Sequence, residues 1–196
     1  MARRRNNKDK DNKRWVWLIR TIKSNGFTSG AEVGCANGTT SHRVLKNCPG
    51  FHLFAVDKWE KIERGPEAEG VGGGRFVDEN YKGCYNWDPV EGWKRFNRAC
   101  RPYSDRLTIL RGDSVDMASH VVDGSLDIVF IDADHRYDGV LRDLAAWAPK
   151  LKEGGVLCGH DIHLPGVLRA VTEKVPDFKE AGIDHVWYAE KEDYVD

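Results

Sequence analysis

Two periodicities alternate from Trp15 onward. Trp15, Leu18, Ile19 and Ile22 recur at i, i+3, i+4 and i+7, a spacing that gathers them on one helical face, and Asn25-Gly26 supplies the stop. Short apolar runs follow at 31–34 (AEVG), 52–57 (HLFAVD), 107–110 (LTIL), 126–132 (LDIVFID) and 154–159 (GGVLCG). They are continuous rather than alternating, as strands covered on both faces require. Helical stretches separate them: TSHRVLKN (40–47), EGWKRFNRAC (91–100) and DGVLRDLAAWAPKL (138–151), the last gathering Val140, Leu141, Leu144, Trp147, Ala148 and Leu151 on one face. This alternation predicts right-handed crossovers and a single-domain α/β fold, a doubly wound and mostly parallel sheet of roughly seven strands. HVWYAEK (185–191) is expected to add a last strand, antiparallel and at an edge.

Two segments stand outside this rhythm. Residues 2–14 carry seven basic side chains and no large apolar one, so burial cannot offset their ordering entropy. We read 1–14 as a disordered basic arm ahead of one domain over 15–196, the arm being either a tether for an anionic partner or a solvated tail. Lys58 to Val90 is polar and rich in glycine (Gly65, Gly70, Gly72, Gly73, Gly74), yet it holds Trp59, Phe76, Tyr81, Tyr85 and Trp87. Five aromatics in so polar a stretch favour an insertion that covers substrate over a bland surface loop. An exposed aromatic loop of this kind could also serve a homodimer.

Hydrophobic residues make up 40% of the 196 and charged residues 31%, and no apolar run approaches the ~18 residues that cross a bilayer. A membrane span is excluded on that count. The formal net charge of -1 removes the overall basic field of a dedicated nucleic-acid binder. Cys35, Cys48, Cys84, Cys100 and Cys158 are odd in number, widely spaced and without a C-x-x-C pair, which speaks against a disulfide framework and a structural zinc site. Together with a charged start that no apolar stretch follows, they fit a cytoplasmic protein.

In open parallel sheets ligands bind beyond the carboxyl ends of the strands. Here those ends read Glu32-Val33-Gly34 with Gly38 four residues on, Asp57, Gly112-Asp113-Ser114, Asp132-Ala133-Asp134-His135 and His160-Asp161-Ile162-His163. The bend Glu32 to Gly38 (E-V-G-C-A-N-G) opens a helix at Thr39, and its glycines would let backbone approach a ligand closely. Asp57, 23 residues past Gly34, is placed to accept bonds from ribose hydroxyls, so a nucleoside ligand is expected. A dinucleotide fingerprint would place glycine at Ala36 and at Thr39, which argues against NAD.

The order E-V-G-C-A-N-G, A-V-D-K-W, G-D-S, F-I-D-A-D-H-R-Y and L-K-E-G-G-V-L-C-G-H-D resembles a class I S-adenosylmethionine-dependent methyltransferase over about residues 28–165. Within that superfamily it is similar to bacterial small-molecule O-methyltransferase-like families. The resemblance implies a Rossmann-like sheet with S-adenosyl-L-methionine on Glu32, Gly34, Cys35, Ala36, Asn37, Gly38 and Thr39 at the methionine end. It further implies Asp57, Lys58 and Trp59 around the ribose, Gly112, Asp113 and Ser114 beside the adenine, and Asp132 near the amino group or a metal.

Methyl transfer to a hydroxyl needs an aligned acceptor and removal of its proton. His135, following Asp134 at a strand tip, is the candidate base, with Asp134 beside it and His160 and His163 in reserve. An imidazole that only packs in its loop is the alternative. Metal-dependent relatives take one carboxylate from the fourth strand's end and an acidic pair after the fifth. Asp132 or Asp134, with Asp161, would serve, but Ile162 stands at the pair's second position, and flanking His160 and His163 would favour manganese, iron or zinc over magnesium. The acceptor is expected to be a small molecule rather than nucleic acid, since Asp132-Ala133-Asp134-His135 replaces the N-P-P-Y or D-P-P-Y of base-methylating enzymes. The competing readings are a nucleic-acid methyltransferase that uses the arm and a non-catalytic nucleoside-binding module.

Overall fold

The computed structural model describes residues 13–60 and 88–195. The chain forms α1 (Arg14–Asn25), β1 (Ser29–Val33), α2 (Thr39–Asn47) and β2 (His52–Asp57), then α3 (Pro89–Cys100), β3 (Leu107–Arg111) and a short α4 (Ser114–Ala118). β4 (Leu126–Ile131), α5 (Tyr137–Trp147), β5 (Leu151–Gly159), α6 (Pro165–Lys174), β6 (Lys179–Glu180) and β7 (Trp187–Glu190) complete it. The seven strands lie in the order β3-β2-β1-β4-β5-β7-β6, with β1 to β5 parallel and β7 antiparallel to both of its neighbours.

Side chains along a strand alternate between faces, and both faces here are covered. In β4, Ile128 and Phe130 pack with Leu18, Ile22, Val44, Leu45 and Phe96 of α1, α2 and α3. Val129 and Ile131 pack with Val140, Leu144, Trp147 and Val171 of α5 and α6. That two-sided burial is why the apolar runs are continuous. The strand order reverses between β1 and β4, and the loops leaving those two strands open the rim where ligands bind in such folds. No helix among the described residues is long and apolar enough to cross a membrane.

Several boundaries differ from expectation for local reasons. α5 stops at Trp147, because Pro149 turns residues 148–150 into a 3-10 segment and hands Leu151 to β5. β7 is not at the edge: the two-residue β6, too short to leave a periodic signal, pairs outside it. α6 begins on Pro165, a residue well suited to the first helical turn. α1 takes in Arg14, which the sequence reading left with the arm. The rest of that arm through residue 12, and Phe76, Tyr81, Tyr85 and Trp87 of the expected cover, lie outside the described residues. The described cysteines, Cys35, Cys48, Cys100 and Cys158, are all free and buried.

Candidate active site

Backbone strain marks the rim independently of any motif. Among the described residues five non-glycine residues have positive φ: Ala36 (46°), Trp59 (47°), Asp161 (58°), Asp184 (48°) and His185 (56°). The first three directly follow β1, β2 and β5, and the last two lead into the antiparallel β7, so all five lie at one end of the sheet. Such conformations cost on the order of 1–3 kcal/mol each and gather at functional sites.

The bend after β1 is built chiefly against protein. Gly34 (φ 94°) carries no Cβ because one would strike the Asp132 carbonyl and Ala133 Cα on the neighbouring loop. A Cβ on Gly38 (φ 75°) would lie 2.8 Å from a ring carbon of Phe96. The glycines therefore let β1's loop come close to β4's loop and to α3. Gly38 N–H bonds the Cys35 carbonyl, and Asn37 Oδ1 accepts from the Thr39 hydroxyl at 2.7 Å and from the Thr39 amide at 3.2 Å. Ala36, Asn37 and Thr39 border the open side of the bend. The Cys35 thiol is buried and donates to the Glu32 carbonyl.

Asp57 closes this bend from β2. Its carboxylate accepts from the Ala36 amide at 2.8 Å and from the Trp59 amide at 2.7 Å. Burial raises its pKa against those bonds. The Trp59 ring is 2% exposed, bonds the Ala36 carbonyl through Nε1 at 2.7 Å and packs on Trp93 and Phe96. It props the bend from inside the core. Lys58 Nζ lies 2.6 Å from Asp113, which also caps α4 through the Val115 amide and is held below the usual carboxylate range. Gly112 joins this corner through its N–H to the Asp57 carbonyl. The Ser114 hydroxyl is committed to the buried Asp143, whose own carboxyl burial pushes up to about 6.

Glu32 is 4% exposed and bonded to the Ser41 hydroxyl at 2.5 Å, so it supports the bend from beneath rather than lining it. Burial pushes its carboxyl up to about 8 from 4.5. The folded state thus holds a proton that the unfolded chain releases, and stability falls as pH rises between about 4.5 and 8. Glu32→Gln is expected to flatten that fall, as melting temperatures at pH 5 and pH 8 would show; an unchanged slope contradicts it.

A second cluster occupies the ends of β4 and β5. His135 Nε2 lies 2.9 Å from Asp161 Oδ2 and 4.0 Å from Asp132 Oδ1, and the three side chains bring one potential ligand atom each within 4.8 Å of one another. Burial alone would raise the Asp161 carboxyl, but the His135 and His160 imidazoles hold it well below the usual carboxylate range. Burial works against protonation of His160, yet Asp132 and Asp161 push its imidazole up to about 9. His163 lies farther out, 3.9 Å from Asp161 and against the His185 ring. Asp134 turns away: Arg136 holds its carboxylate through Nη2 at 2.6 Å, and it packs on Gly139 of α5. Its carboxylate also accepts from the Arg136 amide at 2.9 Å; burial would raise it, but Arg136 holds it below the usual carboxylate range. Ile162 is buried in the core and offers no ligand.

Sequence reasoning missed two members of this cluster. Arg14 Nη1 donates to Asp132 Oδ2 at 2.7 Å and lies 2.8 Å from His160 Nδ1. Asp184 accepts from the Arg14 amide at 2.9 Å and pairs with Lys13 at 3.9 Å. Among the described residues three buried side-chain nitrogens lack a hydrogen-bond partner, Arg14 Nε, His160 Nε2 and Trp187 Nε1, and all three lie in this corner.

Comparison with known proteins bears on the family and the fold. A family model described as a methyltransferase domain matches residues 31–162, well over half of the chain. The chain belongs to that family, the class I S-adenosylmethionine-dependent methyltransferases. Solved structures share the fold at low identity. A candidate caffeoyl-CoA O-methyltransferase from Staphylococcus aureus aligns with TM-score 0.60 at 16% identity, over 89% of this chain and 80% of its own. The O-methyltransferase NovP gives 0.62 at 15%, over 89% and 76%. The S-adenosylhomocysteine-bound methyltransferase PaMTH1 of Podospora anserina gives 0.59 at 15%, over 98% and 83%. No curated protein sequence matches the chain.

Proposed function

We propose that this methyltransferase acts on an oxygen of a small molecule, with the donor held at the β1 bend and Asp57 and the acceptor presented to His135. The observation that carries the acceptor half is the His135–Asp161 pair at 2.9 Å on the same rim as the bend. S-adenosylmethionine supplies an electrophilic methyl group on a sulfonium. Asp57, bonded to the Ala36 amide, faces the bend and keeps lone pairs for ribose hydroxyls. Lys58 and Asp113 border the adenine side. Paired with Asp161 through Nε2, the His135 imidazole is placed to take the acceptor's proton, and the anionic Asp161 orients the ring and stabilises the imidazolium as the acceptor hydroxyl ionises. Asp132, between bend and dyad, orients the acceptor's side of the site.

The chemistry of Asp132, His135 and Asp161 suits a divalent ion of the manganese or iron kind. As arranged, however, the cluster does not fit one, because the Arg14 guanidinium already holds Asp132. No step is therefore assigned to a metal. The four free, buried cysteines agree with a reducing cytosol.

The assay is transfer of labelled methyl from S-adenosylmethionine by the full chain, offered hydroxylated small molecules and, separately, duplex and single-stranded nucleic acid. Label on a small-molecule oxygen is the expected outcome. Label on nucleic acid alone, or on no acceptor by a protein that binds the donor, contradicts the proposal.

A further inference from the structure

Three carboxylates, Asp132, Asp161 and Asp184, and two imidazoles, His135 and His160, share one corner of the rim. So many acidic groups in partly buried surroundings call for a cation. Lys13 pairs with Asp184 at the margin, and the cation on Asp132 is Arg14, placed by the first residue of α1 rather than by any strand end. We propose that Arg14 is the resident cation of this site, standing on Asp132 and His160 where a divalent ion would otherwise bind, so that guanidinium and metal exclude one another.

Three features support this. First, Asp132 Oδ2 is engaged by Arg14 Nη1 at 2.7 Å, and a ligand oxygen so engaged is not open to a cation. Two positive ions on one carboxylate would also repel each other. Second, the guanidinium is imperfectly seated: its Nε is buried without a partner, although the group is built to place five donors. Third, His160 Nδ1 meets Arg14 Nη1 at 2.8 Å and Asp161 Oδ1 at 3.0 Å. One ring nitrogen cannot accept from the first and donate to the second, so one contact is always compromised while Arg14 is in place. A side chain held firmly by one bond and poorly by the rest can be removed without unfolding anything else. The backbone of Arg14 stays anchored meanwhile, through its amide to Asp184.

Ile162 fits the same picture. Next to Asp161, its side chain is buried in the core and gives the cluster no further oxygen ligand. A guanidinium, needing no coordination sphere, suits such a site. The inference goes beyond the O-methylation reading and does not depend on it, because its test measures metal binding without turnover.

The experiment titrates the full chain with manganese chloride, following bound ion by electron paramagnetic resonance and melting temperature by fluorescence. The wild-type protein is expected to show no saturable binding up to millimolar ion and no change in melting. Arg14→Met should gain one saturable site, at least tenfold tighter, with a raised melting temperature, and adding Asp132→Asn should remove the gained site. Arg14→Lys, which keeps the charge, should bind no better than wild type. Wild-type binding as tight as that of Arg14→Met, or no gain in a folded Arg14→Met, overturns the proposal. Should Arg14→Met fail to fold, the wild-type titration still decides, since tight saturable binding there is incompatible with exclusion.

Discussion

His135→Ala is expected to lower kcat by roughly two to four orders of magnitude while leaving the affinity for S-adenosylhomocysteine within about twofold, the size that loss of a positioned base produces. The separation follows from geometry. His135 follows β4 and pairs with Asp161 after β5, whereas the donor bend is held by Asp57, Trp59 and Gly34 from β2 and β1. Removal of a partly exposed ring leaves those bonds untouched. His135→Gln is the sharper variant: its amide can still donate to Asp161 but accepts no proton at neutral pH, so it too should be slow. Calorimetry and single-turnover rates read the two halves separately. Turnover near the wild-type rate in either variant removes His135 from the chemistry, and a loss of donor affinity equal to the loss of rate would make it a structural residue.

Gly34→Ala should be the most destabilising glycine-to-alanine change among the described residues. Its φ of 94° costs an alanine about 1–2 kcal/mol, and the added Cβ collides with the Asp132 carbonyl and Ala133 Cα. Neither loop can retreat, since Gly34 N–H bonds the Val56 carbonyl at 2.8 Å and Asp132 N–H bonds the Val33 carbonyl at 2.8 Å. Overpacking of a pinned contact adds about 1–3 kcal/mol, so the sum is on the order of 3 kcal/mol. Against a total stability of roughly 5–15 kcal/mol this lowers the melting temperature by about ten degrees or leaves the protein insoluble. Gly124→Ala is the control: φ is 66°, but nothing lies within 4 Å of its Cβ, so only the conformational cost remains. Equal melting shifts for the two variants would show that the crossing of the β1 and β4 loops is not tight.

What could be read from the sequence followed from burial. Strands covered on both faces leave continuous apolar runs, and all five parallel strands were visible that way, as was the helix over Tyr137–Trp147 with its stripe of Val140, Leu144 and Trp147. β6 has two residues and no pattern to find. α6 did leave signals, Pro165 at its start and Val167, Ala170 and Val171 on one face, which went unused. At the site, the strand-end rule located Asp57, Asp132, His135 and Asp161, because such a sheet sends its carboxyl ends to one rim. It could not find Arg14 or Asp184. Arg14 is one of seven similar charges before the first helix, and Asp184 lies 23 residues past Asp161 in a loop without a motif. Their meeting is a product of how α1 and the β6–β7 loop pack, which no local spacing encodes. Trp59 is the opposite case: its place in a polar stretch gives no hint that its ring packs on Trp93 and Phe96 of α3.

Asp57 and His135 belong to one site only if the donor lies between them. A crystal structure of the full chain with S-adenosylhomocysteine measures it. The predicted result places the ribose hydroxyls within hydrogen-bond distance of Asp57 and the homocysteine sulfur on the side of the bend that faces His135. A nucleoside bound elsewhere on the chain, or a sulfur directed away from His135, would contradict it.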